Sequence, residues 1–543
     1  MIPRHPILLA ALALLPLAAA CGSNDTGEGA VAPASYDGVA TTSDTAGYAP
    51  APELNTEEYA HVAENRFLDA RATPLSTFAI DVDRASYANV RRFLEQGQMP
   101  PADAVRIEEL VNYFEYDDPD PTGDAPFAVR TEVADAPWNP RHRLVRIGIQ
   151  GRRMDVRDMP PGNLVFLIDV SGSMEGDLPL VKASLARLVD ELRDRDRVGI
   201  VVYAGAAGVV LEPTSDRREI LDALDDLRAG GSTAGGEGIR LAYRLARDAF
   251  IPGGNNRVIL ATDGDFNVGV SSEGELVRLI EREREDGIFL TVLGFGTGNL
   301  ADARMEAIAD HGNGNYAYVD GEDEAEKVLV REMGGTLFTI AKDVKVQVEF
   351  NPAAVESYRL IGYENRVMAA EDFNDDRKDA GELGAGHTVT ALYEVVPAGA
   401  GRGGRPRVDP LRYQDRRARD GAEASGELMT VKLRYKEPQG DESRLIERAV
   451  RDAGRPLDDA SDDLRFAAAV AQWGMLLRGS QHAGNASYED VVSLARGAVG
   501  RDEHGDRADF VRLVQSSRRL AERGSDRDEV DAFDDAAEMR RGR

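Results

Sequence analysis

Residues 164–173 read LVFLIDVSGS, and this stretch determines the fold of the middle of the chain. Its first five residues form an apolar run of the length of a buried strand, and its last five include an aspartate, a glycine and two serines. Similar apolar runs recur at 198–203, 258–261 and 288–295. Short apolar strands that alternate with helices are typical of a mostly parallel sheet covered on both faces. The sequence therefore predicts a doubly wound α/β domain.

The segments between these runs have apolar residues at helical spacing. The four stripes are Val181, Leu185, Leu188, Val189 and Leu192; Ile220, Leu221, Leu224 and Leu227; Ile239, Tyr243, Ala246 and Phe250; and Leu276, Leu279 and Ile280. Asp216 precedes the second stripe, where its carboxylate is expected to cap the helix. Four amphipathic helices are therefore predicted around the sheet.

Three loops of the predicted domain carry oxygen-bearing side chains: one contains Asp169, Ser171 and Ser173, the second contains Thr233 and the third contains Asp263. Ligands in such folds bind outside the carboxyl ends of the strands, where these loops meet. Mg²⁺ prefers oxygen ligands in octahedral geometry and keeps several waters. The hydroxyls of Ser171, Ser173 and Thr233 can coordinate it, and Asp169 and Asp263 can hold coordinating waters or hydroxyls from one layer further out. The sequence therefore predicts a site for Mg²⁺, or Mn²⁺, with an open corner for an outside carboxylate.

At these five residues the chain resembles the von Willebrand factor A (VWA) domain and its metal-ion-dependent adhesion site (MIDAS). The resemblance implies a Rossmann-like fold and cation-dependent binding of a protein partner that presents an acidic residue. Other stretches resemble bacterial lipoproteins, the YfbK-like proteins, over about residues 70–530. These proteins combine a signal peptide, an N-terminal von Willebrand-associated segment, a VWA domain and a C-terminal domain. The stretches are 81–87, 105–109, 163–174, 258–270 and 358–366.

The N-terminus predicts export. Arg4 precedes the apolar segment 7–20, as in a signal peptide. Residues 17–21 read LAAAC and resemble a bacterial lipobox, which implies cleavage before Cys21 and lipidation of its sulfur. Plain secretion with a stray cysteine is the alternative. We expect a lipid-anchored envelope protein with its folded part outside the cytoplasm, and Gly22 favours the outer membrane if the cell has one.

Composition limits the partners of the chain. The 543 residues have a formal net charge of -30, which repels nucleic acid and anionic lipid. We therefore expect no nucleic-acid partner, and contact with a membrane only through the lipid anchor. High-salt adaptation is a second interpretation of this charge. The one cysteine excludes an intrachain disulfide and a multi-cysteine metal site.

The order of these patterns predicts the domain organisation. We expect a signal peptide at 1–20, a lipidated disordered tether at 21–65, an N-terminal von Willebrand-associated α/β segment at 70–155, the VWA domain at 160–340, and a C-terminal β then α domain at 344–530. Within the N-terminal segment, residues 76–117 indicate a small α-rich unit. Alternation with a period of two at 126–150 and 344–436 suggests one β-sandwich into which the α/β domain is inserted.

Two acidic motifs are interpreted as structural. Residues 81–83 (DVD) follow a short strand and lack the rest of a phosphatase motif, so a helix cap is expected there. Residues 372–376 begin like a calcium loop, but Arg377 stands where glycine is needed and Leu383 where glutamate is needed. A solvated acidic loop is expected instead.

The predicted function is binding, not catalysis, because no nucleophile with a partner base is visible. Two alternatives remain. The protein is an envelope scaffold whose metal only stiffens the loops, or it is a metal-assisted phosphoester hydrolase that uses Asp265.

Overall fold

The computed structural model describes residues 57–61, 63–231, 235–264, 273–297, 300–399, 422 and 425–541. The predicted signal peptide, Cys21 and most of the predicted tether lie outside the described residues. The described strands are β1 Leu68–Asp69, β2 Leu75–Ala79, β3 Phe127–Ala136, β4 Asn139–Gly151, β5 Gly162–Asp169, β6 Arg197–Tyr203, β7 Ala207–Thr214, β8 Asn255–Thr262, β9 Ile288–Gly294, β10 Tyr316–Tyr318, β11 Thr339–Phe350, β12 Val355–Ile361, β13 Val367–Met368, β14 Gly381–Gly384, β15 Thr388–Pro397, β16 Met429–Lys436 and β17 Ser443–Val450.

The described α-helices are α1 Ala85–Glu95, α2 Ile107–Asn112, α3 Leu178–Glu191, α4 Arg217–Asp225, α5 Gly235–Asp248, α6 Glu273–Glu285, α7 Asp302–His311, α8 Glu322–Glu326, α9 Met333–Leu337, α10 Asp462–Arg478, α11 Tyr488–Arg496 and α12 Asp506–Arg541. In the part of the chain that the structure describes, no helix has the length and apolar character needed to cross a bilayer.

The middle of the chain forms the predicted α/β domain. Its sheet has the order β10-β9-β8-β5-β6-β7, and every pair is parallel except β6 with β7. The doubly wound, mostly parallel fold is thereby confirmed. The strand β7 was not predicted; it is an edge strand in which the neighbours Val209 and Val210 are both exposed. An exposed edge strand needs no alternating apolar pattern, so periodicity does not reveal it.

The central strand β5 alternates between two helix layers. Phe166 and Ile168 pack in one core with α3 and α4, whereas Val165 and Leu167 pack in another core with α5, α6 and α7. The predicted stripes supply these cores, and Asp216 caps α4 by accepting bonds from two backbone amides. Phe250 is an exception, since it lies after the end of α5 and is 39% exposed.

Strands from both sides of the α/β domain form the two sheets of one sandwich. One sheet has the order β1-β12-β15-β4-β3, and the other has the order β13-β2-β11-β16-β17, with β14 paired to β11. β4 precedes the α/β domain and β15 follows it, yet they pair directly from Arg143 to Gln150. Their inner faces share one core, where Phe350 stacks on Tyr358 with ring centroids 3.8 Å apart. The predicted insertion is confirmed.

The prediction of a separate α-rich unit at 76–117 is wrong. β2 belongs to the sandwich, where it pairs with β11 and β13. α1 and α2 instead join α10, α11 and α12 in a helical core that includes Phe114, Trp473 and Phe510. The helical spacing was recognised, but the partners of these helices lie more than 300 residues away in the chain, beyond the reach of a local pattern.

Buried ion pairs join α7 to the rest of the molecule. Asp302, Glu306 and Asp310 lie one helical turn apart on one face of α7. Arg106 Nη1 donates to Asp302 Oδ2 at 2.7 Å. Arg366 Nη1 donates to Asp310 Oδ2 at 2.5 Å, and its Nη2 donates to Glu306 Oε1 at 3.2 Å. The α/β domain is therefore docked through a buried electrostatic contact as well as through apolar packing.

The expected helix cap at 81–83 is also wrong. The residue before α1 is Arg84, which makes no capping bond. Asp81 instead accepts a hydrogen bond from Arg366 Nε at 3.1 Å, and Asp83 accepts one from the backbone amide of Tyr316 at 2.8 Å. Both carboxylates are buried at the contact with the α/β domain. Their function in the fold is to hold the domain, and no local motif marks that function.

Replacing the central cation of this contact should destabilise the protein strongly. Arg366→Ala leaves the buried carboxylates of Asp81 and Glu306 without this guanidinium partner. We expect a loss of about 3–5 kcal/mol in the free energy of unfolding. Urea denaturation followed by tryptophan fluorescence measures it. Arg377→Ala is the matched control, because Arg377 is exposed and pairs only with Asp375, so no measurable change is expected. Equal effects of the two variants would contradict a buried ion network.

Stability should fall as the pH rises, because of Glu306. Burial raises the pKa of Glu306 from 4.5 to about 8; Glu109 and Asp81 also raise it, whereas Arg106 and Arg366 lower it. The folded state therefore binds a proton between about pH 4.5 and 8 that the unfolded chain releases, and this stabilisation is lost as the pH rises through that window. Glu306→Gln should flatten the dependence of the melting temperature on pH between 5 and 8. Parallel curves for the two proteins would contradict the assignment.

Candidate metal centre

Two buried aspartates lie side by side at the carboxyl edge of the parallel sheet. β5 ends at Asp169, and Asp263 directly follows β8. The two strands are parallel neighbours with Ile168 opposite Ala261, so both aspartates lie at the same edge. Asp169 is fully buried and Asp263 is 1% exposed. The convergence of these loops, predicted from the strand pattern, is present in the structure.

Hydrogen bonds fix the orientation of Asp169. The backbone amide of Ser171 donates to its Oδ1 at 2.9 Å, and the hydroxyl of Thr262 donates to its Oδ2 at 3.3 Å. The hydroxyl of Tyr203 also bonds to this carboxylate. Burial raises the pKa of Asp169 and the charge of Asp263 adds to the rise, while the bonds from Ser171 and Tyr203 lower it. The carboxylate is therefore held by the turn that follows it.

The two serines have the spacing that an octahedral ion needs. Ser171 Oγ and Ser173 Oγ lie 3.1 Å apart. Adjacent corners of an octahedron with ligand distances of 2.0–2.1 Å are about 2.9 Å apart. Ser171 is 1% exposed, whereas Ser173 is open to solvent. The pair can coordinate Mg²⁺ with one side of the ion facing outward.

The glycine-rich loop is attached to the serine turn through its backbone. The amide of Gly172 donates to the carbonyl of Gly231 at 3.1 Å, and the amide of Gly230 donates to the carbonyl of Val170 at 2.7 Å. Gly231 has φ +96°, and a Cβ there would lie 3.2 Å from the nitrogen of Gly205. The start of the loop is thus fixed at this edge. Thr233, its predicted ligand, lies outside the described residues, as does Asp265.

A third carboxylate, Asp177, lies at the same edge and was not among the predicted site residues. Asp177 immediately precedes α3, and its side chain makes no capping bond. It lies over Gly296, which has φ +79°; a Cβ at Gly296 would be 2.7 Å from Asp177 Oδ2 and 3.4 Å from Asp263 Cβ. Burial raises the pKa of Asp177, and the charge of Asp263 raises it further. In the sequence, Asp177 is marked only by its position at the N-terminus of a helix, where an aspartate normally caps the helix.

The electrostatics of this edge favour a cation. The charge of Asp263 raises the pKa of both Asp169 and Asp177. In the described part of the chain, no cationic side chain is among the groups that shift the pKa of Asp169 or Asp177. Two hydroxyls and three carboxylates form a hard oxygen donor set of the kind that Mg²⁺ and Mn²⁺ prefer. The residues present therefore fit the predicted metal.

Three family models match this chain. Residues 53–146 match the model described as von Willebrand factor, residues 163–331 match the von Willebrand factor type A domain, and residues 335–520 match "Uncharacterized protein YfbK, C-terminal". The second match covers the strands and loops that form the metal centre.

Several known proteins are similar over parts of the chain. "Uncharacterized protein YfbK" of Escherichia coli (strain K12) is 45% identical over 471 residues, 85% of this chain and 81% of that protein. "Uncharacterized protein sll0103" of Synechocystis is 31% identical over 34% of this chain and 43% of its own length. The solved von Willebrand factor type A structure from Catenulispora acidiphila is 17% identical, with a TM-score of 0.38, over 65% of this chain and 79% of that one.

Neutralising Asp177 should stabilise the metal-free protein. A group whose pKa is raised in the folded state destabilises that state when it is ionised. Asp177→Asn should therefore raise the melting temperature in EDTA by on the order of 1–3 °C at pH 7.5. Differential scanning calorimetry measures the change, and Asp194→Asn on the exposed surface serves as the control. A lower melting temperature for Asp177→Asn would contradict the charge repulsion between Asp177 and Asp263.

Proposed function

The chain belongs to the YfbK family, and from this premise we propose that it binds a protein partner in the cell envelope through a Mg²⁺-dependent adhesion site in its VWA domain. The partner presents an aspartate or glutamate to the ion. Lipidation at Cys21 holds the protein on a membrane, and the folded part lies outside the cytoplasm. The ligands of the ion are Ser171, Ser173 and Thr233, supported by Asp169 and Asp263.

The geometry of the serine turn carries this proposal. The oxygens of Ser171 and Ser173 have the separation of adjacent octahedral corners. Both oxygens of Asp169 already accept hydrogen bonds, from the Ser171 amide and the Thr262 hydroxyl. An ion bound mainly by neutral hydroxyls and water keeps most of its positive charge. It therefore attracts a carboxylate from outside, which is the chemistry of an adhesion site.

The solvent exposure of this site favours the binding of a partner over a purely structural role for the ion. Asp169 and Ser171 are buried, whereas Gly172 and Ser173 are exposed. The ion would therefore lie at the surface of the VWA domain, with protein on one side and solvent on the other. A partner carboxylate can reach the solvent side without any movement of β5 or β8. An ion that serves only to stiffen the loops needs no such access.

Removing Asp169 should abolish metal binding. Asp169→Ala removes the acceptor that orients the Ser171 amide and takes one negative charge from the site. We expect the affinity for Mn²⁺ and Mg²⁺ to fall at least about 10–100-fold, to below what calorimetry detects, while the protein stays folded. Isothermal titration calorimetry measures the affinity and circular dichroism the fold. Asp194→Ala is the control, and an affinity unchanged by Asp169→Ala would refute the site.

Partner binding should depend on the same ion. Crosslinking in intact cells, followed by recovery of the chain from membranes, should capture a partner in Mg²⁺ and lose it in EDTA. Ser173→Ala should lose the partner as well, since Ser173 supplies the exposed ligand. If neither EDTA nor Ser173→Ala reduces the recovery of the partner, the protein is instead a scaffold that binds through another surface.

A further inference from the structure

Three acidic side chains meet where β14 pairs with β11, far from the metal centre. Asp343, Asp379 and Glu382 each place a carboxylate oxygen within 4.8 Å of the other two. Ca²⁺ takes oxygen ligands at 2.3–2.6 Å, so two of its ligands can be at most about 5 Å apart. One ion can therefore contact all three side chains without a movement of the backbone.

The backbone at this junction holds two of the three acids in place. Asp343 lies in β11 at a φ of +53°, and the pairing of β11 with β14 shifts register between Ala341 and Val344. Such a bulge turns a side chain away from its regular direction. Glu382 lies in β14 between Gly381 and Leu383, which pair with β11 on either side of the bulge. The sheet therefore brings these two carboxylates together.

Glu382 has an unmet bonding requirement. The residue is 9% exposed, and its Oε1 is buried with no hydrogen-bond donor among the described residues. A buried carboxylate oxygen without a partner is costly, and proteins satisfy such a group with a proton, a donor or a cation. Burial raises the pKa of Glu382, and the charges of Asp379 and Asp343 raise it further. The side chain also lines a cavity of about 320 Å³, which has room for an ion and its waters.

The nearby cations form their hydrogen bonds and ion pairs with groups other than Glu382 Oε1. Lys436 Nζ pairs with Asp343 Oδ2 at 2.7 Å, and Arg284 pairs with Asp379. The charge of Arg284 lowers the pKa of Glu382, and Arg257 also carries charge nearby, but Nη1 of Arg257 donates to Thr291 at 2.7 Å. Each aspartate thus has an ion-pair partner, whereas Glu382 Oε1 accepts no hydrogen bond from the described residues.

We propose that Asp343, Asp379 and Glu382 form a second divalent-cation site, selective for Ca²⁺. The ligands are carboxylates of unequal exposure, and Asp379 is open enough for water to complete the coordination. Ca²⁺ accepts irregular coordination of this kind, whereas Mg²⁺ requires near-ideal octahedral geometry. The acidic loop at 372–376 takes no part, since Asp375 accepts from Arg377 and Asp376 accepts from the Ser443 amide.

The candidate site lies beside a contact between the β-sandwich and the VWA domain. Arg284, the partner of Asp379, lies at the end of α6, just before β9 begins. This is the amino edge of the parallel sheet, opposite the metal centre at the carboxyl edge. The same arginine donates to Asn313 Oδ1 at 3.2 Å in the loop after α7. All three ligands belong to the β-sandwich, so a bound Ca²⁺ would share Asp379 with Arg284 and would not contribute to the adhesion site.

Calcium titration of the full chain tests the proposal. In an Asp169→Ala background, which removes the metal centre, calorimetry should show one remaining Ca²⁺-binding event. Adding Glu382→Gln should weaken the affinity for Ca²⁺ at least tenfold. Glu371→Gln, the same substitution at an exposed residue of the preceding segment, should leave this affinity unchanged. Absence of a Ca²⁺ event in Asp169→Ala, or one that Glu382→Gln leaves unchanged, overturns the second site. Neither result bears on the adhesion site, which Asp169→Ala itself tests.

Thermal melting separates ion binding from a folding defect. In EDTA, Glu382→Gln should melt at a higher temperature than the parent chain, because it removes a buried carboxylate without a partner. In the Asp169→Ala background, 5 mM Ca²⁺ should raise the melting temperature by several degrees relative to EDTA, and adding Glu382→Gln should abolish this rise. An equal rise with Ca²⁺ in both proteins overturns the assignment of Glu382 as a ligand.

Discussion

The parallel pairing of β5 with β8 is the constraint on which the rest of the structure depends. It places the ends of both strands at one edge of the sheet, so that Asp169 and Asp263 become neighbours although they are 94 positions apart in the chain. The same pairing makes β5 a central strand, and its alternate residues hold one helix layer on each face. Moving the pairing by one residue would exchange the two cores and separate the aspartates. Fold and metal centre therefore share one physical cause.

The protein concentrates negative charge at places where its domains meet or where a ligand can bind. α7 presents three acids to Arg106 and Arg366, and the metal centre and the junction of β11 with β14 each bring three more together. Arginines compensate the first group in part. The formal net charge of -30 thus reflects buried clusters as well as a solvated surface. A cation is the natural partner of each cluster that the arginines leave unbalanced.

Insertion of the VWA domain into the sandwich explains how these clusters form. β2 and β4 precede the inserted domain, and their partners β11 and β15 follow it, so the sandwich cannot close until the whole inserted segment has been crossed. At this contact Asp83 accepts a hydrogen bond from Tyr316 of the inserted domain, and Asp81 pairs with Arg366, which follows that domain in the chain. Each such contact joins residues more than 200 positions apart. Local motifs therefore gave the wrong function for residues 81–83.

The sequence by itself determined the parallel sheet, its helices, the β-sandwich around the inserted domain, and the positions of Asp169, Ser171, Ser173 and Asp263 at strand ends. These features depend on short-range periodicity and on residues next to strand ends. Ser171 and Asp169 could be identified for the same reason. Only the tertiary structure revealed the positions of Asp177 and Glu382. Asp177 lies near Asp263, beside Gly296, and Oε1 of Glu382 is buried without a hydrogen-bond donor among the described residues. The edge strand β7 also escaped detection. These features depend on burial or exposure and on long-range charge, and none of these produces a periodic pattern in the sequence.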